Sequence, residues 1–154
     1  MATVPLLEAL QLRVGRDRLR LVWKAYPLAF HRRALPAAEA TAAVQLLAGP
    51  EAAFRVIDDA LAGALDDRAL EESARSAGAS TESYRFALTD SHDAIAAKVA
   101  ADRTLAESLG VHSVPEVFIG DLAIRGAASE EAYARAVDDV LARGPAPRPE
   151  TAGE

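Results

Sequence analysis

Cysteine is absent from this chain of 154 residues. Thiol–disulfide exchange proceeds through a thiolate, so these residues cannot perform it. Histidine occurs three times, at His31, His92 and His112, far apart and without His-x-x-x-His spacing, and no metal site is expected from them. The acidic pairs Asp58-Asp59, Asp66-Asp67 and Asp138-Asp139 lack the alternating carboxylates and following Gly and Glu of a calcium loop, and they read as helix faces or caps. Glycine-rich phosphate loops are missing, which removes the Walker and dinucleotide fingerprints and any cofactor expectation based on them. No apolar run approaches the roughly 18 residues of a spanning helix, so no membrane partner is expected. The first residues lack the charged-then-apolar pattern of a signal peptide, which as written predicts a cytoplasmic location. An excess of positive charge is also wanting: the net charge is -6. Nucleic-acid binding needs clustered Lys and Arg, and the one such run, Arg13, Arg16, Arg18 and Arg20, straddles a helix end and a strand start as a solvated rim.

What is present suits a folded domain. The length predicts one domain burying roughly 68–70% of the surface of its unfolded chain. Hydrophobic residues make up 51% and charged residues 26%, near ordinary globular values, so disorder is expected only in the Pro-rich tail over residues 144–154.

Residues 111–126, VHSVPEVFIGDLAIRG, carry the densest local information. Gly110 suits a helix C′ position. Pro115 then stands at the mouth of a strand, where its missing N–H is tolerated. Val117, Phe118 and Ile119 are β-branched or aromatic, Gly120-Asp121 is a two-residue turn, and Leu122, Ala123 and Ile124 bring the chain back. Ser129 is an N-cap followed by Glu130 and Glu131, and Tyr133, Val137, Val140 and Leu141 recur at helical spacing up to Gly144. Upstream, Leu19, Leu21 and Trp23 alternate along a predicted strand that places Trp23 in the core.

Helices are predicted between these segments. Residues 36–47 are Ala-rich, begin with proline and stop at Gly49-Pro50. Residues 51–64 place Phe54, Ile57, Leu61 and Leu65 on one face. Asp66 or Asp67 caps a short helix with Leu70 and Ala74 inward, and Ser80 or Thr81 opens another around Tyr84, Phe86 and Leu88. The longest runs over about residues 90–109, with Ile95, Val99, Leu105 and Leu109 as its stripe. Ser91, His92 and Asp93 spell a hydrolase triad, yet helix neighbours point about 100° apart and cannot act as relay partners.

The corner Tyr26-Pro27-Leu28 with Phe30-His31, then Gly110-Val111-His112-Ser113-Val114-Pro115, a hairpin and a closing helix, resembles the DsbA-like branch of the thioredoxin-fold oxidoreductases over nearly the whole chain up to Arg143. The resemblance implies an α/β fold: a thioredoxin-like mixed sheet over residues 1–143 with a helical insertion at about 34–109. It implies a cis-proline at Pro115, with Val114 offering backbone groups to an extended or unfolded polypeptide, as in β-augmentation. Val114, Pro115 and His112 are therefore the candidate substrate-binding residues. His112 is placed to hydrogen-bond or titrate at that surface, its other reading being a half-exposed loop histidine.

Relatives open with a first strand and a Cys-x-x-Cys at the start of the first helix, whose dipole lowers the thiol pKa. Residues 1–10 look like the middle of that helix, so the fold reads as N-terminally truncated, and no catalytic residue is assigned. A late start codon or a degenerate member both explain this, and a lost signal peptide would move the protein to the periplasm. The functional readings are a DsbA-family homologue without redox activity, a glutathione-dependent non-redox enzyme on the same scaffold, and a peptide-binding, chaperone-like module. Loss of the first strand orphans backbone groups on its neighbours at about 1–3 kcal/mol each. The expected remedy is direct pairing of strand 19–24 with strand 116–119, or a homodimer that fills the slot.

Overall fold

The computed structural model describes residues 3–144, so the predicted tail lies, but for Gly144, outside the described residues. The chain divides into two compact units, residues Val22–His112 and the two flanking segments together.

The flanking segments form a small α/β unit. Helix α1 (Thr3–Val14) and helix α7 (Glu130–Arg143) pack on a hairpin of strands β1 (Glu116–Ile119) and β2 (Leu122–Arg125). Their core joins Leu6 and Leu10 of α1, Ile119 of β1, and Tyr133, Ala136 and Val137 of α7. Period-two alternation sends Val117, Ile119, Leu122 and Ile124 to that face and Glu116, Phe118, Ala123 and Arg125 to the other. Ile119 pairs with Leu122 across the predicted two-residue turn. Gly120 supplies a positive φ of 58° there, the requirement at the first central position of a type II′ turn. The side chain of Ser129 caps α7 by accepting from the Ala132 N–H, and the two glutamates that follow suit the positive helix end.

The central unit is helical. Helix α2 (Ala34–Ala48) packs against α3 (Pro50–Leu61), α4 (Asp67–Ser76), α5 (Thr81–Asp90) and α6 (His92–Ser108). Alanine has the highest helix propensity and the smallest side chain that still packs, which lets Ala37, Ala40, Ala42 and Ala43 of α2 sit at the centre with Val44. Asp66 and Ser80 cap α4 and α5 by accepting from the N–H groups of Ala69 and Ser83. Arg33 stands at the α2 N-cap without capping it; its Nε donates to the Leu65 carbonyl at 2.7 Å and its Nη2 pairs with Asp67.

Several expectations are corrected. Residues 19–24 form no strand, because no strand among the described residues runs beside them, and the only sheet there is the antiparallel β1–β2 pair rather than a larger mixed sheet. Direct pairing of 19–24 with β1 is therefore not formed. Trp23 is exposed, since without a sheet its alternation points at no core. In α3 the inward residues include Val56 along with Ile57, and Leu61 is exposed in the last turn. Phe86 of α5 is exposed. The long helix starts at His92, after a break at Ser91, and its buried stripe is Ile95, Val99, Asp102 and Ala106, leaving Leu105 and Leu109 exposed. The stripe follows the helical period through a carboxylate, which an apolar-only reading skips.

Candidate functional site

The candidate docking edge begins where helix α6 ends. Gly110 takes a left-handed φ of 73°, and the Val111 N–H donates to the Ala106 carbonyl at 3.0 Å, closing the helix. In the α/β unit, Val114 and Pro115 are exposed at the head of β1, and the peptide bond between them is cis. The Pro115 carbonyl accepts from the Gly126 N–H at 2.8 Å, so the ladder continues one pair beyond the strands proper.

That bond sets the phase of the hairpin. In an antiparallel pair, hydrogen-bonded and non-hydrogen-bonded pairs alternate. With Pro115 opposite Gly126 bonded, Val117–Ile124 and Ile119–Leu122 are bonded too, whereas Glu116–Arg125 and Phe118–Ala123 are not. The N–H and C=O of Glu116 and Phe118 consequently point away from β2, towards an edge that no strand of the described residues occupies. Val114 continues that edge. Among the described residues its backbone N–H and C=O form no hydrogen bond, and the residue is 49% exposed. The charges beside it are matched: Arg125 Nε lies 3.3 Å from Glu116 Oε1, with the Glu116 side chain covered and the guanidinium open to water.

Val114 and Pro115 are thus brought together on one edge. His112 is exposed at the last position of the helical unit, and the edge geometry rests on the other two. The remaining histidines make separate contacts. His31 lies against Phe30 with ring centroids 4.5 Å apart. His92 places Nε2 3.7 Å from Glu39 Oε1 and Nδ1 3.9 Å from Asp93 Oδ1, and no Ser91–His92 relay forms. Among the described residues no three His, Asp or Glu side chains converge as a cation site, and no helix is long and apolar enough to cross a membrane.

One residue that sequence reasoning missed anchors the Tyr26-Pro27-Leu28 corner from below. The Asp102 carboxylate, buried on α6, accepts from Lys24 Nζ at 2.9 Å, from the Ala25 N–H at 3.1 Å and from Lys98 Nζ at 3.5 Å. A charged residue falling in phase with Ile95, Val99 and Ala106 was its signal. Buried carboxylates persist where they are paired and hydrogen-bonded.

The family model described as Thioredoxin matches residues 2–139. The chain belongs to the DsbA-like thioredoxin family. Among solved structures, this DsbA-like chain is similar to the thiol-disulfide exchange protein alpha-DsbA2 from Wolbachia pipientis, with a TM-score of 0.75 and 22% identity over 88% of this chain and 73% of that one. At that identity the likeness concerns the fold, an α/β thioredoxin-like fold of DsbA type. Comparison with curated proteins finds no match. The DsbA-like hairpin, its cis Val114–Pro115 bond and the closing helix are in place, whereas the 154 residues contain no sulfur nucleophile to set against them.

Proposed function

We propose that this DsbA-like chain binds extended polypeptide at the Val114–Pro115 edge and takes no part in thiol–disulfide exchange through its own residues. The observation that carries the reading is Val114 at the head of β1, an exposed residue whose backbone groups form no hydrogen bond among the described residues. An added strand gains affinity from main-chain hydrogen bonds, and such bonds are indifferent to most of the client's sequence. Pro115 has no N–H, so the residue before it meets a client without competition from that donor. Exchange chemistry has no route here, since the chain offers no thiolate to attack a disulfide.

Fluorescence anisotropy with a labelled, permanently unfolded polypeptide tests the reading. Binding by the native sequence, weakened about tenfold or more in Pro115→Ala and in Val114→Pro, is the expected result, a change of about 1.4 kcal/mol. Equal binding by all three proteins would count against it. In the same samples an insulin-reduction assay is expected to show no turnover above buffer.

A further inference from the structure

Within the central unit, helices α2 and α5 pack against each other and leave an open groove of about 340 Å³ beside the end of α2. Buried Ala87 lines it together with Leu46, Leu47 and Phe86, which are 64%, 39% and 59% exposed. Small-molecule pockets of about 300–1,000 Å³ enclose most of their ligand, whereas the walls of this small groove stand largely in water. Clustered exposed apolar side chains of this kind mark a surface for a macromolecule. The charge around the groove is of one sign. Glu82 lines it, and Asp90 follows Phe86 along α5, so residues 82, 86 and 90 form an i, i+4, i+8 row with a carboxylate at each end. Among the described residues neither carboxylate is in an ion pair, and Asp90 accepts from the neighbouring Thr89 hydroxyl at 2.7 Å. Helix α2 has no Lys or Arg. The one basic residue of α5, Arg85, is held by Glu71 through Nε at 2.7 Å and Nη2 at 2.9 Å. His92, at the start of α6, lies 3.7 Å from Glu39 of α2.

We infer that the α2–α5 groove docks an amphipathic, basic helix of a partner protein. The groove between two packed helices accepts the ridge of a third, and apolar anchors at i, i+3, i+4 and i+7 of the incoming helix cover Leu46, Leu47 and Phe86. Charge then selects among such helices. Eight steps of helical rise put Glu82 and Asp90 about 12 Å apart along α5. A helix lying along α5 meets both when it carries Lys or Arg seven or eight positions apart, flanking its apolar anchors. An acidic helix sets like charge against like at both ends, and the net charge of -6 disfavours a second copy of this chain in the same way. The groove shares no residue with the Val114–Pro115 edge, so the inference stands whether or not that edge binds a client.

The probe is a fluorescein-labelled, Ala-based peptide of about 18 residues, long enough to be helical by itself, with Leu at the anchor positions and Lys on both sides of them. Its control has Glu in place of Lys. Fluorescence anisotropy with the full chain is expected to show the Lys peptide binding at least about tenfold more tightly than the control, a preference that added salt reduces. Phe86→Ser and Leu46→Ser alter exposed side chains, so each should keep the native helical circular dichroism and weaken the Lys peptide at least about tenfold. The double variant Glu82→Lys/Asp90→Lys is expected to prefer the Glu peptide. No binding of the Lys peptide, equal binding of the two peptides, or a preference that survives the charge reversal overturns the inference. Light scattering that shows a native dimer dissolved by Phe86→Ser would make a second copy the occupant and overturn it too.

Discussion

Asp102 shows how much one side chain can hold. Its carboxylate gathers Lys24, Lys98 and the Ala25 N–H from two places far apart in sequence, and its own burial is tolerated because every partner is a donor. Asp102→Ala strands the Ala25 N–H and a lysine, and a loss of about 2–3 kcal/mol in urea unfolding is expected; Asp102→Asn keeps an acceptor for the N–H and should lose about half as much. Equal losses would mean that the negative charge set against the two lysines, rather than the acceptor for the Ala25 N–H, carries the contribution. Tyr84 illustrates a partly buried acid that the fold keeps neutral. Burial, aided by the nearby Glu71 and Asp67 carboxylates, pushes its phenol up to about 12 from the ordinary 10. The neutral phenol is therefore the form the fold favours. That contribution is complete below pH 10 and disappears as pH rises through 12. Absorbance titration at alkaline pH should show a late-ionising component that Tyr84→Phe removes.

At the scale of elements, local chemistry and tertiary support coincide in the hairpin. Gly120 is needed twice over: its φ of 58° disfavours any side chain, and a Cβ there would sit 3.0 Å from Val140 Cγ1 of α7. Gly120→Ala is expected to destabilise the chain by about 1–3 kcal/mol, read as a lower thermal midpoint. Turn, strands and caps of this kind were legible because their signals lie within a few residues of one another: Gly120-Asp121, Ser129, Asp66, Ser80 and Gly110 all take the roles their residue types suggest. The misreadings have a common cause. Leu61, Phe86, Leu105 and Leu109 are apolar yet exposed, while Asp102 and the alanines of α2 are inside. Which face of a helix is buried depends on what packs against it, and hydropathy alone does not supply that. The strand expected at 19–24 failed for a related reason: alternation describes a segment that suits a ladder, but a ladder takes a second strand.

For the molecule as a whole, the order of motifs, from the Tyr26-Pro27-Leu28 corner to Val114-Pro115 and the hairpin, carried the resemblance to the DsbA-like proteins with little help from packing, and the family match over residues 2–139 agrees. The sequence by itself determined what chemistry these residues lack, where the hairpin turns and where most helices begin, because composition, φ preferences and caps act over short range. Tertiary structure alone decided that the sheet of the described residues is a two-stranded hairpin, that α2 lies at the centre of the helical unit, that Asp102 is buried, and that Glu116 and Phe118 face an edge that no strand of the described residues occupies. Those outcomes depend on which neighbours arrive, and hydrogen-bond partners and burial are properties of pairs of segments that no single stretch of chain encodes.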